Sequence, residues 1–323
     1  MASNDSDQVG PVVVGVDGSA NAMVAARWAA HEASLRAVPL IIVHAWTMPT
    51  MAWSTPIGLT IDPAALRAGA VEVAEQAASE VRRTTGEALA SVEARAVEAP
   101  TIPTLIDVAA DASLLVVGSR GRGGFAGLLL GSVAVSCADH ASVPLAVVRQ
   151  AAGPGAQDIV VGVDDSAPAR AALRWAAEEA VRSDRRLVVV HGWETPFAVP
   201  PGGLAYGPVL DEDFRKTSGA LLERLVAETT ADLEQAPAVQ VRAVADTAPQ
   251  ALIQQAAGAA LLVVGSRGRA GFRGLVLGSV SQQCLHHAPC PVVVVPVPRA
   301  DQAEDDDHET ADGAVRRQDT VVS

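Results

Sequence analysis

The chain of 323 residues is poor in lysine, cysteine and aromatic residues. Its one lysine, Lys216, does not follow a glycine-rich loop, which excludes a Walker A phosphate loop because that motif needs a lysine before its Ser/Thr. The three cysteines form no C-x-x-C pair, so neither a disulfide framework nor a zinc site is indicated. The reducing cytoplasm is the simplest location for such a chain.

Long apolar runs are also missing. Stretches such as "LLVV" and "PVVVV" fall far short of the roughly 20 residues that span a bilayer, and the start "MASNDSDQVG" lacks the features of a signal peptide. The formal net charge is −13, and about half of it comes from the acidic residues that follow Pro298. The sequence therefore predicts a soluble protein that does not bind nucleic acid or anionic membranes by bulk electrostatics.

What the sequence does contain is a long internal repeat. "VVVGVDGSA" from Val12 returns as "IVVGVDDSA" from Ile159, and "VHAW" from Val43 returns as "VHGW" from Val190. "GSRGRGGFAGLLLGSV" from Gly118 returns from Gly265 with three of sixteen positions changed. The offset is 147 residues each time, which is the size of a domain and indicates a tandem duplication.

The repeat sets the predicted domain organisation. We expect a disordered N-terminus, a first domain, a linker around Gly153-Pro154-Gly155, a second domain and an acidic disordered tail. The predicted boundaries are 1–9, 10–149, 150–157, 158–298 and 299–323.

Each half alternates short β-branched runs with amphipathic stretches, which is typical of an α/β fold with a parallel sheet covered by helices. We predict two tandem doubly wound, Rossmann-like domains of five strands each. In the first half the predicted strands are 12–17, 40–46, 92–98, 114–118 and 144–149, and the predicted helices are 20–37, 63–88, 102–111 and 131–141.

Open parallel sheets bind ligands beyond the carboxyl ends of their strands, at the point where the strand order reverses. Asp17 follows the first strand and Gly118 follows the fourth, so we expect both to face one crevice. Glycines 118, 121, 123 and 124 are expected to allow positive φ and close approach of backbone N–H groups to phosphate oxygens.

A helix that begins at Gly131-Ser132 would add the positive end of its dipole to the same crevice. Arg120 and Arg122 supply charge there or are simply solvated loop residues. Asp17 has an alternative role in stabilising a helix N-terminus that Ser19 caps. A weak dinucleotide-like pattern, Gly121-x-Gly123-x-x-Ala126, follows the wrong strand and is lost in the second half at Ala270.

"GVDGSA", "VHAW" and the spacing Gly118-x2-Gly121-x9-Gly131-Ser132 resemble the ATP-binding subclass of the universal stress protein family. The second half repeats that spacing at Gly265, Gly268 and Gly278-Ser279. The tandem arrangement looks like that of actinobacterial and mycobacterial members. The resemblance implies a strand order 3-2-1-4-5 in each half and ATP, with Mg²⁺, as the ligand.

The resemblance also implies residue roles. The aspartate after the first strand would meet the ribose, the backbone after the strand-2 histidine the adenine, and the glycine loop with the Gly-Ser pair the phosphates. In the first half these residues are Gly15, Asp17, Ala45, Gly118, Ser119, Arg120, Gly121, Arg122, Gly123, Gly124, Gly131, Ser132 and Val133. In the second half they are Gly162, Asp164, Gly192, Gly265, Ser266, Arg267, Gly268, Arg269, Ala270, Gly271, Gly278, Ser279 and Val280.

The two predicted sites differ at two positions, and the halves also differ at Gly18, the residue after Asp17. Asp165 replaces Gly18, and its carboxylate would weaken the second site or enlist Mg²⁺. Gly192 replaces Ala45, which is harmless if only the backbone is used. Ala270 replaces Gly123, which is tolerable if φ is negative there.

Nothing in the sequence assembles a catalytic group or a metal site. His44 and His191 lie in apolar strands and are interpreted as core histidines, and Cys137 and Cys284 as buried thiols. We therefore expect an ATP-binding regulator of the stress response and not an enzyme. The alternatives are a slow ATP hydrolase or kinase-like enzyme, and a partner-binding module with structural ATP.

The predicted partners follow from the sheet edges. "PLAVV" and "PVVVV" would lie at the edge of each half, where unpaired apolar strands associate. We expect them to pair as an intramolecular pseudo-dimer, with a homodimer and an unknown protein partner as further possibilities.

Overall fold

The computed structural model describes residues 9–48, 62–86, 89–123, 129–153, 155–193, 208–268 and 277–296. The first half contains β1 (Val12–Gly15), α1 (Ala20–Arg36), β2 (Leu40–Trp46), α2 (Pro63–Thr85), β3 (Val92–Glu98), α3 (Thr101–Val108), β4 (Leu114–Gly118), α4 (Ser132–His140) and β5 (Leu145–Val148). The second half contains β6 (Asp158–Gly162), α5 (Ala167–Arg182), β7 (Arg186–Trp193), α6 (Pro208–Thr230), β8 (Val239–Ala245), α7 (Ala248–Gln255), β9 (Leu261–Gly265), α8 (Ser279–His287) and β10 (Val292–Val295).

The strands form one ten-stranded sheet in the order β3-β2-β1-β4-β5-β10-β9-β6-β7-β8. Within each half all pairs are parallel, and the order 3-2-1-4-5 is confirmed in the first half and in its repeat. β5 and β10 pair antiparallel at the centre, with Val147 opposite Val292. The strands of the two halves therefore run in opposite directions. The carboxyl ends of the first-half strands lie on the same side of the sheet as the amino ends of the second-half strands.

Helices cover both faces of the sheet, because alternate residues of each strand point to opposite sides. Val12 and Val14 join the core beneath α1, whereas Val13 joins the core beneath α3 and α4. α1 buries a face of alanines that includes Ala25, Ala29 and Ala33. These small side chains bring the helix backbone close to β4. Gly118, at the end of β4, therefore has little room for a side chain.

The main differences from the predicted elements lie at their ends. β1 ends at Gly15 instead of residue 17 because Asp17 and Gly18 already turn the chain into α1, with Gly18 at φ +77°. α3 ends at Val108 instead of residue 111. The predicted disordered tail 299–323 and residues 1–8 lie outside the described residues.

Candidate functional site

Each half contains one cleft at the carboxyl ends of its first and fourth strands. The first-half cleft lies beyond Gly15 and Gly118, which end β1 and β4, and has a volume of about 490 Å³. The second-half cleft lies beyond Gly162 and Gly265 and has a volume of about 460 Å³. Both volumes fall in the range of small-molecule and cofactor sites.

Most of the predicted site residues that the structure describes line these clefts. In the first half they are Gly15, Asp17, Ala45, Gly118, Arg120, Gly121, Arg122, Gly123, Gly131, Ser132 and Val133. In the second half they are Gly162, Asp164, Gly192, Gly265, Arg267, Gly268, Gly278, Ser279 and Val280.

The other predicted residues divide into two groups. Ser119 and Ser266 are buried and do not line a cleft. Gly124, Arg269, Ala270 and Gly271 lie outside the described residues.

Asp17 joins the first turn of α1 to the loop that follows β4. Its Oδ1 accepts a hydrogen bond from the backbone N–H of Ser19 at 3.0 Å, and its Oδ2 accepts one from the backbone N–H of Arg122 at 2.6 Å. Ser19 in turn caps α1 by accepting from the N–H of Ala22 at 3.2 Å. The carboxylate therefore has the helix-end role that was its alternative interpretation, and it also holds the loop of the cleft.

Asp164 repeats part of this arrangement in the second half. Its Oδ1 accepts hydrogen bonds from the backbone N–H of Ser166 at 3.2 Å and from the Ser166 hydroxyl at 2.6 Å. Ser166 caps α5 as Ser19 caps α1.

The described glycines of the loop after β4 do not have positive φ, and at two of them a side chain would be too close to a neighbouring segment. Among the described glycines only 18, 86, 155 and 258 have positive φ, so that expectation is wrong for Gly118, Gly121 and Gly123. A Cβ on Gly118 would lie 3.3 Å from backbone atoms of α1, and one on Gly121 would collide with the Asp17 carboxylate. A Cβ on Gly123 would meet nothing within 4 Å.

The helices that begin at the clefts have no side-chain cap. α4 and α8 start after Gly131 and Gly278, whereas Ser19, Asp62, Ser166 and Thr247 each cap a helix by accepting a backbone N–H. α3 also lacks such a cap, since Pro100 precedes it. The first turns of α4 and α8 contain no acidic residue. The first N–H groups and the positive dipole end of each helix therefore have no carboxylate of their own first turn to neutralise them.

Sequence reasoning missed the wall that α3 and α7 contribute. Thr101 and Leu105 line the first-half cleft, and Ala248 and Leu252 line the second. A spacing of four residues places each pair on one face of a helix, but the predicted helix began at residue 102 and left Thr101 outside it. Gly15 is needed because the Leu105 side chain packs on it, at 3.0 Å from where a Cβ would stand.

Asp165 does not add a carboxylate to the second-half cleft. It does not line the cleft, and its side chain forms ion pairs with Arg170 and, at 3.5 Å, with Arg224. The expectation that it weakens the site or enlists Mg²⁺ therefore has no support in the geometry. Asp165 adopts φ +64°, close to the +77° of Gly18, so the backbone turn is kept.

Gly192 and Ala45 are not interchangeable, because the start of α7 leaves no room for a side chain at Gly192. A Cβ on Gly192 would lie 2.7 Å from Cα and 2.9 Å from N of Ala248, and backbone atoms cannot yield as a side chain can. Gly192→Ala is expected to lower the free energy of unfolding by about 1–3 kcal/mol. Urea denaturation of the variant measures this change.

The matched control for this prediction is Ala45→Gly. It creates no overlap and carries only the entropic cost of glycine in a strand, about 0.5–1 kcal/mol. A Gly192→Ala protein at least as stable as Ala45→Gly would show that the two halves tolerate the same side chain.

His44, His191 and the three cysteines each have a backbone contact or a buried position that accounts for them. His44 donates from Nδ1 to the Val16 carbonyl oxygen at 2.8 Å, and His191 makes the same bond to Val163 at 2.7 Å, although His191 also lines the second-half cleft. Cys137, Cys284 and Cys290 are buried, and burial raises the pKa of each thiol to about 12. Such thiols are neutral and unreactive at physiological pH.

Both halves match the model of the universal stress protein family, over residues 9–149 and 155–296. A universal stress protein of Mycobacterium tuberculosis is 36% identical over 296 residues, which cover 88% of this chain and 96% of that protein. A second one from the same organism is 33% identical over 300 residues, covering 88% and 95%.

Among solved structures, a universal stress protein from Archaeoglobus fulgidus superposes with a TM-score of 0.64. It is 19% identical, and the match covers 91% of this chain and 98% of the other, which shows a shared fold. In the part of the chain that the structure describes, no helix is long and apolar enough to cross a membrane.

Proposed function

The chain belongs to the universal stress protein family, and from this premise we propose that each cleft binds ATP and that the nucleotide-bound state regulates the stress response and growth in the cytoplasm. The observation that carries the proposal is the pair of uncapped helix N-termini. Gly131 and Gly278 leave the first N–H groups of α4 and α8 directed at the clefts, as phosphate-binding helices require.

The rest of each cleft suits a nucleotide. In the first half, Arg120 and Arg122 line the side of the loop and supply positive charge for phosphates. Apolar side chains of Val43 and Leu105 also line the cleft, and such a surface suits a base. Asp17 also lines the cleft, and we assign it to the ribose.

The cleft residues favour holding a nucleotide over cleaving it. Asp17 is the carboxylate of the first-half cleft among its described residues, and both its oxygens already accept backbone N–H groups. Such a carboxylate is a poor general base for water, since a proton would displace these bonds. We therefore propose a binding protein with at most slow hydrolysis.

The described residues offer little to a protein-bound Mg²⁺. They contain no group of three or more His, Cys, Asp or Glu side chains that converge on one point. Magnesium is often held by phosphates and water with only one or two carboxylates, so a metal here would arrive with the nucleotide.

ATP is expected to stabilise the protein against heat. At a free concentration about 100 times Kd, each occupied cleft adds about 2.7 kcal/mol, which raises Tm by about 5–10 °C for a domain of this size. Differential scanning calorimetry with ATP measures the shift. Adenosine at the same concentration is the control, because it lacks the phosphates that the helix N-termini would bind.

A second readout identifies what the clefts hold. Protein purified without added nucleotide is denatured, and the released nucleotide is identified and counted by chromatography. Two ATP per chain agree with two clefts. No released nucleotide together with no ATP-dependent shift in Tm would refute the proposal.

A further inference from the structure

Arg149 connects the segment that leads into α4 in the first half with α8 of the second half. It follows β5, the strand that pairs with β10 of the other half. Its Nη2 donates to the carbonyl oxygens of Leu129 at 3.1 Å, Leu285 at 3.3 Å and His286 at 2.8 Å. One guanidinium nitrogen thus contacts both halves of the chain.

In the first half, Arg149 contacts the segment that leads from the loop after β4 into α4. Leu129 lies two residues before Gly131, the residue that precedes α4. The N–H of Gly131 donates to the Ser119 carbonyl oxygen at 2.8 Å. Leu130, between Leu129 and Gly131, is buried and lines the cleft. A shift of the Leu129 carbonyl therefore moves the residues that lead into the uncapped helix.

On the second-half side, the contact is with the far end of a cleft helix. Leu285 and His286 belong to the last turn of α8, whose first residue, Ser279, lines the second-half cleft. Nine residues of α-helix span about 13 Å, so a rigid short helix connects Arg149 to that cleft. A cation at the carboxyl end also stabilises the helix dipole.

Nη2 has two hydrogens and faces three carbonyl acceptors, so the three bonds compete. A stronger hydrogen bond to the Leu129 carbonyl weakens the bonds to the α8 carbonyls, and stronger bonds to α8 weaken the bond to Leu129. The group is also sensitive to charge in the first-half cleft, because burial and the nearby Arg120 guanidinium lower the pKa of Arg149. Arg120 lines that cleft.

We propose that Arg149 is a positioning residue that couples the two clefts, so that a nucleotide in the first-half cleft changes the affinity of the second-half cleft. This inference rests on the proposed function, since it takes phosphates as the anions that approach Arg120. Coupling is reciprocal, so the second-half cleft changes the affinity of the first by the same factor. The position that repeats Arg149 is Pro296, so this link exists once per chain.

The test compares ATP binding to both clefts with binding to each one alone, by isothermal titration calorimetry. Ser279→Asp is expected to block ATP binding in the second-half cleft, so that only the first-half cleft binds. Ser132→Asp is expected to block the first-half cleft, so that only the second binds. Independent clefts give a wild-type isotherm equal to the sum of the two single-cleft isotherms. We expect the second ATP to bind with an affinity at least about fivefold different from its single-cleft value.

In the Arg149→Met background, the isotherms are expected to become additive. Arg149→Gln replaces that variant if it fails to fold, and Arg149→Lys is expected to restore part of the coupling. Gln150→Ala is the matched control, since Gln150 donates to the Pro289 carbonyl across the same seam at 2.6 Å, and Pro289 lies beyond the end of α8 at His287. A merely structural seam would respond equally to both changes.

The outcomes separate the two proposals. Additive isotherms in the wild type, or the same departure from additivity in Arg149→Met, overturn the coupling and leave ATP binding intact. No ATP binding in the wild type overturns the proposed function, and the coupling with it.

Discussion

Ser132→Asp is expected to weaken ATP binding in the first-half cleft by on the order of 10³-fold without lowering the stability of the fold. Ser132 is the exposed first residue of α4, next to the uncapped Gly131. A carboxylate there would lie in the region proposed for the phosphates. Two unit charges about 4 Å apart repel by about 4 kcal/mol at an effective dielectric constant of 20.

The same substitution acts on the fold with the opposite sign. An acidic residue in the first turn of a helix interacts favourably with the dipole, by about 0.3–1 kcal/mol. α4 has no acidic residue in its first turn, so the site for this gain is open. Weaker binding combined with unchanged or higher Tm therefore separates a lost ligand from a damaged fold.

Calorimetric titration with ATP and thermal unfolding without it measure the two effects. Ser279→Asp is the equivalent change in the second half, where Ser279 is likewise exposed. Ser79→Asp, on the exposed face of α2, adds the same charge away from both clefts. Affinity that is equal in Ser132→Asp and Ser79→Asp would show that phosphates do not approach α4.

The second large effect concerns a buried charge cluster at the seam between the halves. Glu32 and Glu179 occupy repeat-related positions and meet across the seam, with side chains only 2% and 1% exposed. Arg36 pairs with both of them, at 2.5 Å from Glu179, and also lies over the Trp175 ring. The residue of the second half that is equivalent to Arg36 in the repeat is Ser183, so the two carboxylates share one arginine. Arg182 forms a second ion pair with Glu179 at 2.7 Å.

Burial and the Glu179 carboxylate raise the pKa of Glu32 to about 7. The folded protein therefore holds a proton on Glu32 that the unfolded chain has lost above a pKa near 4.5. Because the folded state binds more protons in this window, its stability falls as pH rises from about 4.5 to about 7. The Glu32 contribution is roughly 3 kcal/mol over the window.

Glu32→Gln is expected to remove this slope, because glutamine stays neutral and keeps an amide oxygen for Arg36. Urea denaturation at several pH values from 4.5 to 8 measures it. His31 and His286 give a slope of opposite sign, since burial lowers the pKa of each. Only the difference between wild type and variant therefore isolates Glu32.

Glu178→Gln is the control, since the Glu178 side chain is 39% exposed and Glu178 is adjacent to Glu179. It is expected to leave the pH dependence of the wild type intact. An identical slope in the wild type and in Glu32→Gln would mean that Glu32 is ionised in the folded protein.

Most of the fold could be predicted from the sequence because its signals are local. Alternating apolar runs and helical stretches placed β2, β3 and β4 at their observed bounds. The repeat predicted that the second half follows the first, and the family resemblance predicted the strand order. The glycine loop and the Gly-Ser pair stand out because short contiguous motifs depend little on the rest of the chain.

The sequence by itself determined the two α/β halves through their periodicity and the residues proposed to hold a nucleotide through contiguous motifs. The strand order followed from the family that those motifs resemble. The tertiary structure decided what depends on distance between segments. It set the close approach of α7 to Gly192, the pairing of Asp165 with Arg170, and the meeting of Glu32 with Glu179. Arg149 belongs to this second group, because its acceptors lie 20, 136 and 137 residues away and only packing of the two halves brings them to one guanidinium.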